Sequence, residues 1–197
     1  MDGSTFCLII FPSSRGQMMN GMKQDEFKQY YEADKKRYSV YETWHFTPML
    51  LYHLRHTQFD KSTFSKSFHK FLLRLLSRLH NLEIPPETKI GKGLYLGHVY
   101  NITINPTTII GDNCNIHKGV TIGKEPRGRR KGTPIIGNNV WIGVNATIVG
   151  KINIGDDVLI APNTFVNCDI PSHSIVIGCP CKIIPRENAT KGYINHF

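Results

Sequence analysis

From Ile84 onward, aliphatic residues return at every sixth position, a period that neither an α-helix nor a single β-strand produces. Helices repeat near 3.6 residues and strands near 2. The clearest stretch is residues 135–163, "IIGNNVWIGVNATIVGKINIGDDVLIAPN". The anchors of this register are Ile84, Ile90, Leu96, Ile104, Ile110, Ile116, Ile122, the six-residue series from Ile136 to Val166, Ile177 and Ile183. A small residue, usually glycine, often follows the anchor, and a second compact or aliphatic side chain stands four positions after it.

A repeat of six predicts one flat face of a three-sided prism with the anchors pointing inward. Stacked coils bury a column of aliphatic side chains, and strands of adjacent coils pair in parallel. The register predicts about five coils. Two extra residues after Leu96, a longer insertion after Ile122 and a shorter one after Val166 interrupt it. A β-sandwich would need alternating patterns and hairpin turns, which the sequence lacks.

The residues before the repeat show helical rather than six-residue spacing. Residues 25–37 predict a polar helix, and Thr47-Pro48 and Ser62 predict the starts of two more. Pro85-Pro86 forbids continuation of the third. Its apolar stripe is Phe64, Phe68, Phe71, Leu72, Leu75, Leu76 and Leu79. We expect this stripe to pack on another helix or on a partner chain.

Length and composition indicate a globular protein of one domain with a helical appendage. The chain has 197 residues, of which 40% are hydrophobic and 20% charged. No apolar run approaches the ~20 residues needed to cross a bilayer. The apolar run at residues 6–11 is too short and lacks the basic lead of a signal peptide. We therefore expect a soluble, cytoplasmic protein without stable membrane insertion, whose true start could also lie at Met18, Met19 or Met22.

Cysteine content and charge exclude two further classes. The five cysteines contain no CxxC pair, so a disulfide framework or a zinc ribbon is not expected. The net charge of +9 invites a nucleic-acid interpretation. However, five bases cluster in one loop, Lys124–Lys131, and the rest of the segment from Ile84 onward is close to neutral. Such a loop fits a small polyanion better than a duplex, or is simply a solvated insertion, so no nucleic-acid partner is expected.

Three motifs in the repeat region resemble those of a known protein family. They are "IPPETKIGKGLYLGH" (residues 84–98), "IIGDNCNIHKGVTIG" (residues 109–123) and "IVIGCPCKII" (residues 175–184). From about Glu83 to Pro185 the chain resembles the hexapeptide-repeat acyltransferases, and among them the serine acetyltransferase branch. The resemblance implies acetyl-CoA as co-substrate, a homotrimer or a dimer of trimers, and active sites between neighbouring prisms. The expected fold is an all-β core, a left-handed parallel β-helix of hexapeptide repeats, preceded by a small α-helical N-terminal region. The expected divisions are an N-terminal helical region at 1–82, the β-helix domain at 83–188 and a tail at 189–197.

The same resemblance implies the catalytic pair. His98, two residues after the anchor Leu96, matches the general base that removes the proton of the acceptor hydroxyl. A histidine can accept that proton at neutral pH and return it to the departing thiolate. Glu83 stands where the family has an aspartate that orients this base. The expected reaction is direct transfer without an acyl-enzyme, because both substrates meet in one groove.

The donor is expected to lie in a groove lined by small residues. Gly143 and Ala161 would let the pantetheine arm approach the backbone, and Lys182 matches the basic residue near the nucleotide. The bases of Lys124–Lys131 could meet the phosphates. His117 is a further candidate for the acceptor pocket, whereas His53 and His56 are expected to be structural.

Departures from the family pattern bear on the acceptor. Gly97 stands where serine-specific members carry an aspartate, and Gly132-Thr133 where they carry an Arg-His pair. These family groups are associated with the ammonium and carboxylate of the amino acid. We therefore expect a neutral hydroxyl, as in a saccharide of a surface polysaccharide. A true serine O-acetyltransferase of cysteine biosynthesis and a non-catalytic β-helix scaffold remain open alternatives.

Two other enzyme classes on the same prism are disfavoured. A γ-class carbonic anhydrase needs three histidines around zinc. His98 and His117 are nineteen residues apart, and no H-x4-H occurs after Ile84, so no metal is expected. A sugar nucleotidyltransferase would need a nucleotide-binding domain ahead of the prism, where about eighty residues with helical patterns stand.

Overall fold

The computed structural model describes residues 14–38 and 46–194, with side chains from residue 25 onward. Three helices, α1 (Ser14–Lys36), α2 (Phe46–Phe59) and α3 (Thr63–Leu79), precede the strands. The strands are β1 (Lys89–Ile90), β2 (Tyr95–Gly97), β3 (Thr103–Ile104), β4 (Ile109–Ile110), β5 (Asn115–His117), β6 (Thr121–Gly123), β7 (Ile135–Ile136), β8 (Val140–Ile142), β9 (Thr147–Val149), β10 (Asn153–Ile154), β11 (Val158–Ile160), β12 (Phe165–Val166), β13 (Ser174–Ile177) and β14 (Lys182–Pro185). The apolar run at residues 6–11 lies outside the described residues.

The strands form three sheets, the walls of a prism. Sheet I has the order β1-β4-β7-β10, sheet II the order β14-β13-β11-β8-β5-β2 and sheet III the order β12-β9-β6-β3. All pairings are parallel except β13 with β14. Ile104, Ile122 and Ile148 are consecutive partners in sheet III, 18 and 26 residues apart. A coil is therefore three hexapeptides, and the coil of 26 contains the basic loop. The predicted β-helix of about five coils, with a helical region ahead of it, is confirmed.

The anchors form the core, as predicted from the repeat. Ile116, Ile122, Ile142, Ile148 and Ile160 are each 0% exposed. The compact or aliphatic side chains four positions after an anchor are buried as well. They are Leu94, Cys114, Val120, Val140, Ala146, Ile152 and Val158. The four cysteines in the described residues are free thiols.

The register was wrong in the last coil. Ile177 and Ile183 are each 37% exposed, whereas Ile170 and Val176 are 3% and 0% exposed and fill the core. Val176 pairs with Ile160, so this coil has 16 residues rather than 18. After it the chain reverses, and β14 pairs antiparallel with β13, outside the column.

The helical layer meets the prism along the open edge of sheet II. Asp34 and Arg55, whose side chains are both fully buried, form an ion pair with a nitrogen–oxygen distance of 2.7 Å. Arg55 also donates to the carbonyl oxygens of Ile90 and Gly91, and Asp34 accepts the amide of Leu94. These bonds satisfy backbone groups around β2, where no further strand pairs.

Two residues after α1 extend this contact. The Tyr38 hydroxyl accepts the amide of Leu96 at 2.7 Å. The Arg37 guanidinium donates to the carbonyl of Gly93 at 2.8 Å and to the side chain of Asn115. The edge strand is therefore covered by polar side chains rather than by another strand.

The apolar stripe of helix α3 was expected to pack either on another helix or on a partner chain. Ser62 caps the helix by accepting the amide of Ser65, as predicted. Its inner face is formed by His69 and Leu73, whereas the stripe residues Phe64, Phe68, Phe71, Leu75 and Leu79 are exposed. The expectation that these five residues pack on another helix was therefore wrong for the described helices of this chain, and a partner chain remains the open alternative.

The C-terminal segment folds back onto the prism. The carboxylate of Asp157 accepts the amides of Ala189 and Thr190, both at 3.0 Å. Ala189, Thr190 and Ile194 are buried, while residues 195–197 lie outside the described range. The divisions at 1–82, 83–188 and 189–197 remain predictions. None of the described helices is long and apolar enough to cross a membrane.

Candidate active site

His98 lies at a corner of the prism, where the chain leaves sheet II after β2. It occupies the left-handed backbone region with φ of 51°, which is uncommon for a residue other than glycine. The side chain is exposed, so it points away from the packed column. The outward placement expected from the sequence is therefore found.

A cavity of about 400 Å³ opens beside this imidazole. Both the helical layer and the first two coils contribute to it. Its lining is Tyr38, Phe46, Thr47, His80, Tyr95, Leu96, Gly97, His98, Val99 and His117. Among the described residues, the lining contains no aspartate, glutamate, lysine or arginine, and its polar groups are hydroxyls, imidazoles and backbone.

His117 lies next to His98 on this wall. It pairs in register with Gly97, and a Cβ added at Gly97 would collide with the Nδ1 of His117. Burial, with a smaller contribution from His98, lowers the pKa of His117 to about 4, so the ring is neutral at pH 7. Its Nε2 is buried and has no hydrogen-bond partner among the described residues.

The residues predicted to hold the donor lie along the corner of the prism at which the strands of sheet II end, as His98 does. The register places Gly143 in the row beside His117, and Ala161 in the row beside Gly143. Lys182 pairs with Ile177, which ends the row beyond Ala161. A Cβ at Gly143 would come within 2.6 Å of the Pro162 backbone nitrogen, so only glycine fits there. His98 and the predicted donor residues thus share one edge.

Glu83 is placed differently from the prediction that it orients His98. Its backbone forms a bridge to Thr103 in sheet III. Its side chain lines another cavity, of about 510 Å³, together with Lys70 and Arg74. Within the described residues no hydrogen bond or ion pair joins Glu83 to His98. The structure therefore does not bring this pair together in the single chain.

The basic loop leaves a different corner. It follows β6 of sheet III and is closed by two backbone bonds between Glu125 and Gly132, of 2.9 and 3.0 Å. The bases of Lys124–Lys131 are exposed. Thr133, at the position of the family's Arg-His pair, is bonded to Thr107. Within one chain, the loop does not lie on the edge that carries His98.

The sequence analysis missed the helical side of the cavity. Tyr38 and Phe46 belong to segments without six-residue spacing, and nothing in their pattern indicates docking on β2. His80 stacks on Phe46 with ring centroids 3.8 Å apart and meets the carbonyl of Val99 at 3.0 Å.

Comparisons with known proteins agree with this architecture. Residues 133–168 match the family model described as "Bacterial transferase hexapeptide (six repeats)". A protein of Helicobacter pylori strain J99 named serine acetyltransferase is 39% identical over 121 residues, which cover 59% of this chain and 71% of that protein. A protein of the same name from Synechococcus elongatus is 36% identical over 127 residues, covering 62% of this chain and 52% of the relative.

Solved structures give the same result. Neisseria gonorrhoeae serine acetyltransferase in complex with serine is 28% identical, with a TM-score of 0.68 and coverage of 84% of this chain and 72% of that chain. A serine acetyltransferase complex with CoA is 24% identical, with a TM-score of 0.67 and coverage of 86% and 73%, and shows the fold alone. These relatives carry the name serine acetyltransferase, not that of a polysaccharide O-acetyltransferase. The chain belongs to the hexapeptide-repeat serine acetyltransferase family.

Proposed function

We propose that this chain is an acetyl-CoA-dependent O-acetyltransferase whose acceptor is the hydroxyl of serine. The proposal is supported by the relatives named serine acetyltransferase and by the Neisseria gonorrhoeae structure solved with serine. The single observation that carries it is the position of His98, exposed beside a cavity at one end of a row of small residues. This replaces the saccharide as our first choice of acceptor.

In the proposed reaction, His98 acts as the general base. It takes the proton of the acceptor hydroxyl, whose oxygen attacks the carbonyl carbon of the thioester. Backbone amides stabilise the negative oxygen of the tetrahedral intermediate. The carbon–sulfur bond then breaks, and the proton on His98 passes to the thiolate of CoA. No acyl-enzyme forms, because acceptor and donor meet in one groove.

The row on sheet II is the proposed donor groove. Neighbouring strands lie about 4.8 Å apart, so Lys182 stands about 24 Å from Gly97 along the edge. Gly143 and Ala161 lie between them, where a thin pantetheine arm can run along the backbone. We propose that Lys182 meets the nucleotide end, with the bases of Lys124–Lys131 from a neighbouring copy adding charge near the phosphates.

A homotrimer, or a dimer of trimers, would supply that neighbouring copy. Ile109 and Ile135, side by side on the outer face of sheet I, are 38% and 47% exposed. The outer face of α3 is also apolar and exposed. Light scattering after gel filtration tests this part of the proposal: a monomer at micromolar concentration contradicts it. Cytoplasmic location and the absence of nucleic-acid binding remain predictions.

Glu83 remains a proposed positioning residue, acting through His98 after its exposed side chain turns toward that imidazole. Glu83→Gln would then shift the pH profile of kcat/KM as well as lower it, and Glu83→Asp would retain more activity than Glu83→Gln. An unchanged pH profile in both variants would remove Glu83 from the mechanism.

A saccharide hydroxyl remains the second candidate acceptor, for one reason. The described residues that line the cavity beside His98 include no charged side chain, whereas free serine brings an ammonium and a carboxylate. A neutral acceptor needs no such partners. Under the serine proposal, groups beyond the described lining residues, in this chain or in a neighbouring copy, must provide them.

The decisive experiment follows thiol release from acetyl-CoA with serine, hexoses, N-acetylated sugars and oligosaccharides as acceptors. We expect turnover with serine, and a loss of about 10²–10⁴-fold in His98→Ala. His173→Ala, an exposed histidine on the last coil, is the matched control and retains activity. Turnover of sugars far above serine would select the second candidate. No thiol release with any acceptor would support a non-catalytic scaffold.

A further inference from the structure

Three histidines and an aspartate lie together between α2 and α3, away from the cavity of His98. His53 and His56 project from α2, Asp60 follows that helix, and His69 projects from α3. None of the four lines the cavity that contains His98. His53 and His56 were expected to be structural, and no spacing in the sequence brings His69 to them.

The polar atoms of this cluster meet at short distances. The Nδ1 atoms of His53 and His69 are 2.7 Å apart, and the Nδ1 of His56 is 2.8 Å from a carboxylate oxygen of Asp60. The other carboxylate oxygen accepts the hydroxyl of Ser65. The hydroxyl of Ser65 on α3 therefore holds the carboxylate of Asp60, which faces the imidazoles.

Aromatic rings pack against the cluster. The rings of Phe27 and Tyr52 lie 4.2 and 4.4 Å from that of His56. The Nε2 of His56 is buried without a hydrogen-bond partner in the described part of the chain. Burial first, and then the neighbouring histidines, lowers the pKa of both His53 and His69.

We propose that His56, Asp60 and His69 bind a divalent transition metal ion, with zinc as the best fit. Each offers one ligand atom, and these atoms lie within 4.8 Å of one another. Imidazole and carboxylate donors suit zinc, whereas magnesium and calcium prefer oxygen alone. Water completes the fourth position, and the site is independent of the proposed acetyl transfer.

The ligands need a small rearrangement to close on the ion. Donor atoms around tetrahedral zinc are about 3.4 Å apart. The rings of His56 and His69 are stacked, with centroids 4.0 Å apart and 5° between planes. One ring must therefore turn about its Cβ–Cγ bond, a soft torsion. His53, through its contact with Nδ1 of His69, leaves Nε2 of that ring for the metal and orients it from behind.

The test uses the full chain without a polyhistidine tag, treated with EDTA and dialysed. Titration with Zn²⁺ is expected to show one ion per chain, and excess Zn²⁺ to raise the melting temperature by several degrees because the ion binds the folded state. Mg²⁺ should produce no shift. Co²⁺ in place of zinc should give the visible absorption of a tetrahedral site.

Variants then locate the ion. The double variant His56→Ala/His69→Ala should lose at least 100-fold in Zn²⁺ affinity, and Asp60→Asn, which keeps the shape of the side chain, about 10-fold or more. The control His173→Ala removes a histidine that lies 2.9 Å from Asp157 and 3.5 Å from Glu187 on the prism, and should leave binding unchanged. The proposal is overturned if the wild-type chain binds no Zn²⁺, or if Asp60→Asn and the double variant bind it as tightly as the wild type.

Discussion

The prism and the helical layer are stabilised in opposite ways. In the prism, each coil repeats the same burial of aliphatic anchors, so no single residue decides the fold. The helical layer docks through a few buried polar groups, above all the ion pair of Asp34 and Arg55. Breaking a buried pair leaves a charge without its partner, which costs more than trimming one anchor of many. The contact between the two regions, rather than the column, is therefore the sensitive part of the molecule.

This difference matters for the site because the cavity beside His98 lies where the two regions meet. Tyr38 and Phe46 come from the helical side, while Gly97 and His117 come from the coils. Loss of the contacts between the helical layer and the prism should therefore change acceptor binding even when the prism stays folded.

The largest effect is expected for Arg55→Ala. The variant leaves the Asp34 carboxylate buried and frees the carbonyls of Ile90 and Gly91, so the free energy of unfolding should fall by about 3–5 kcal/mol. Urea denaturation measures the loss, and hydrogen exchange should show it first in α1 and α2.

Two variants serve as controls for this prediction. Lys35→Ala removes an exposed pair with Glu32 and should change stability by less than about 0.5 kcal/mol. Asp34→Ala/Arg55→Ala should cost less than the sum of the single variants. A loss below 1 kcal/mol in Arg55→Ala would mean that the ion pair does not hold the layer.

The next effect is expected inside the prism, at Ile116. Ile116→Ala should cost about 2–5 kcal/mol, because the fully buried side chain leaves a cavity, and Ile116→Val about 0.5–1.5 kcal/mol. Ile183→Ala, 37% exposed on β14 outside the column, is the control and should cost far less. Equal losses at both positions, measured by urea denaturation, would show that the column is not the core.

A smaller effect is expected for Gly97→Ala, at the junction. The new Cβ displaces the ring of His117, at a cost of about 1–3 kcal/mol, and kcat/KM should fall because the cavity changes shape. Gly97→Ala/His117→Ala should recover stability, because the collision is then absent. Gly123→Ala is the control, since its Cβ would meet only Val149, at 3.2 Å. If the double variant is no more stable than Gly97→Ala, the collision is not the cause.

The same contrast explains what the sequence can predict. A six-residue period needs only local counting, so the anchors from Ile84 to Val166 and the corner position of His98 followed from it. The last coil was predicted wrongly, because two residues are missing after Val166 where an insertion was expected, so that Val176 rather than Ile177 is the anchor.

The docking of the helical layer could not be predicted from the sequence, for a different reason. Asp34 and Arg55 stand in helices that read as ordinary polar or amphipathic segments, and their burial depends on where those helices dock. The cluster of His53, His56 and His69 likewise joins two helices through a contact that no spacing reveals. Periodicity predicts what repeats along a chain, and it does not predict the polar contacts that fix one irregular layer against it.

The smallest effect concerns the C-terminal segment and pH. Burial raises the pKa of Asp157, but the hydrogen bonds that it accepts from Thr190 and His173 outweigh burial and hold that pKa below its usual value. A depressed pKa contributes stability that is present above the unfolded-state value, about 3.9, and is lost as the pH falls through the folded-state pKa. His173, whose pKa is raised first by Asp157 and then by Glu187, acts in the opposite sense and loses its contribution as the pH rises through that raised pKa.

We therefore expect residues 189–194 to detach in acid before the prism unfolds. The Tyr193 ring lies 5.2 Å from that of Trp141, and in a Trp44→Phe background Trp141 is the single tryptophan. Its fluorescence should change below about pH 4, while circular dichroism of the prism stays constant. Asp157→Asn should lower stability at neutral pH by no more than about 1 kcal/mol and abolish the acid step. Persistence of that step in Asp157→Asn would place the titrating group elsewhere, since the segment would then be held by apolar contacts of Ala189 and Ile194 that protons do not affect.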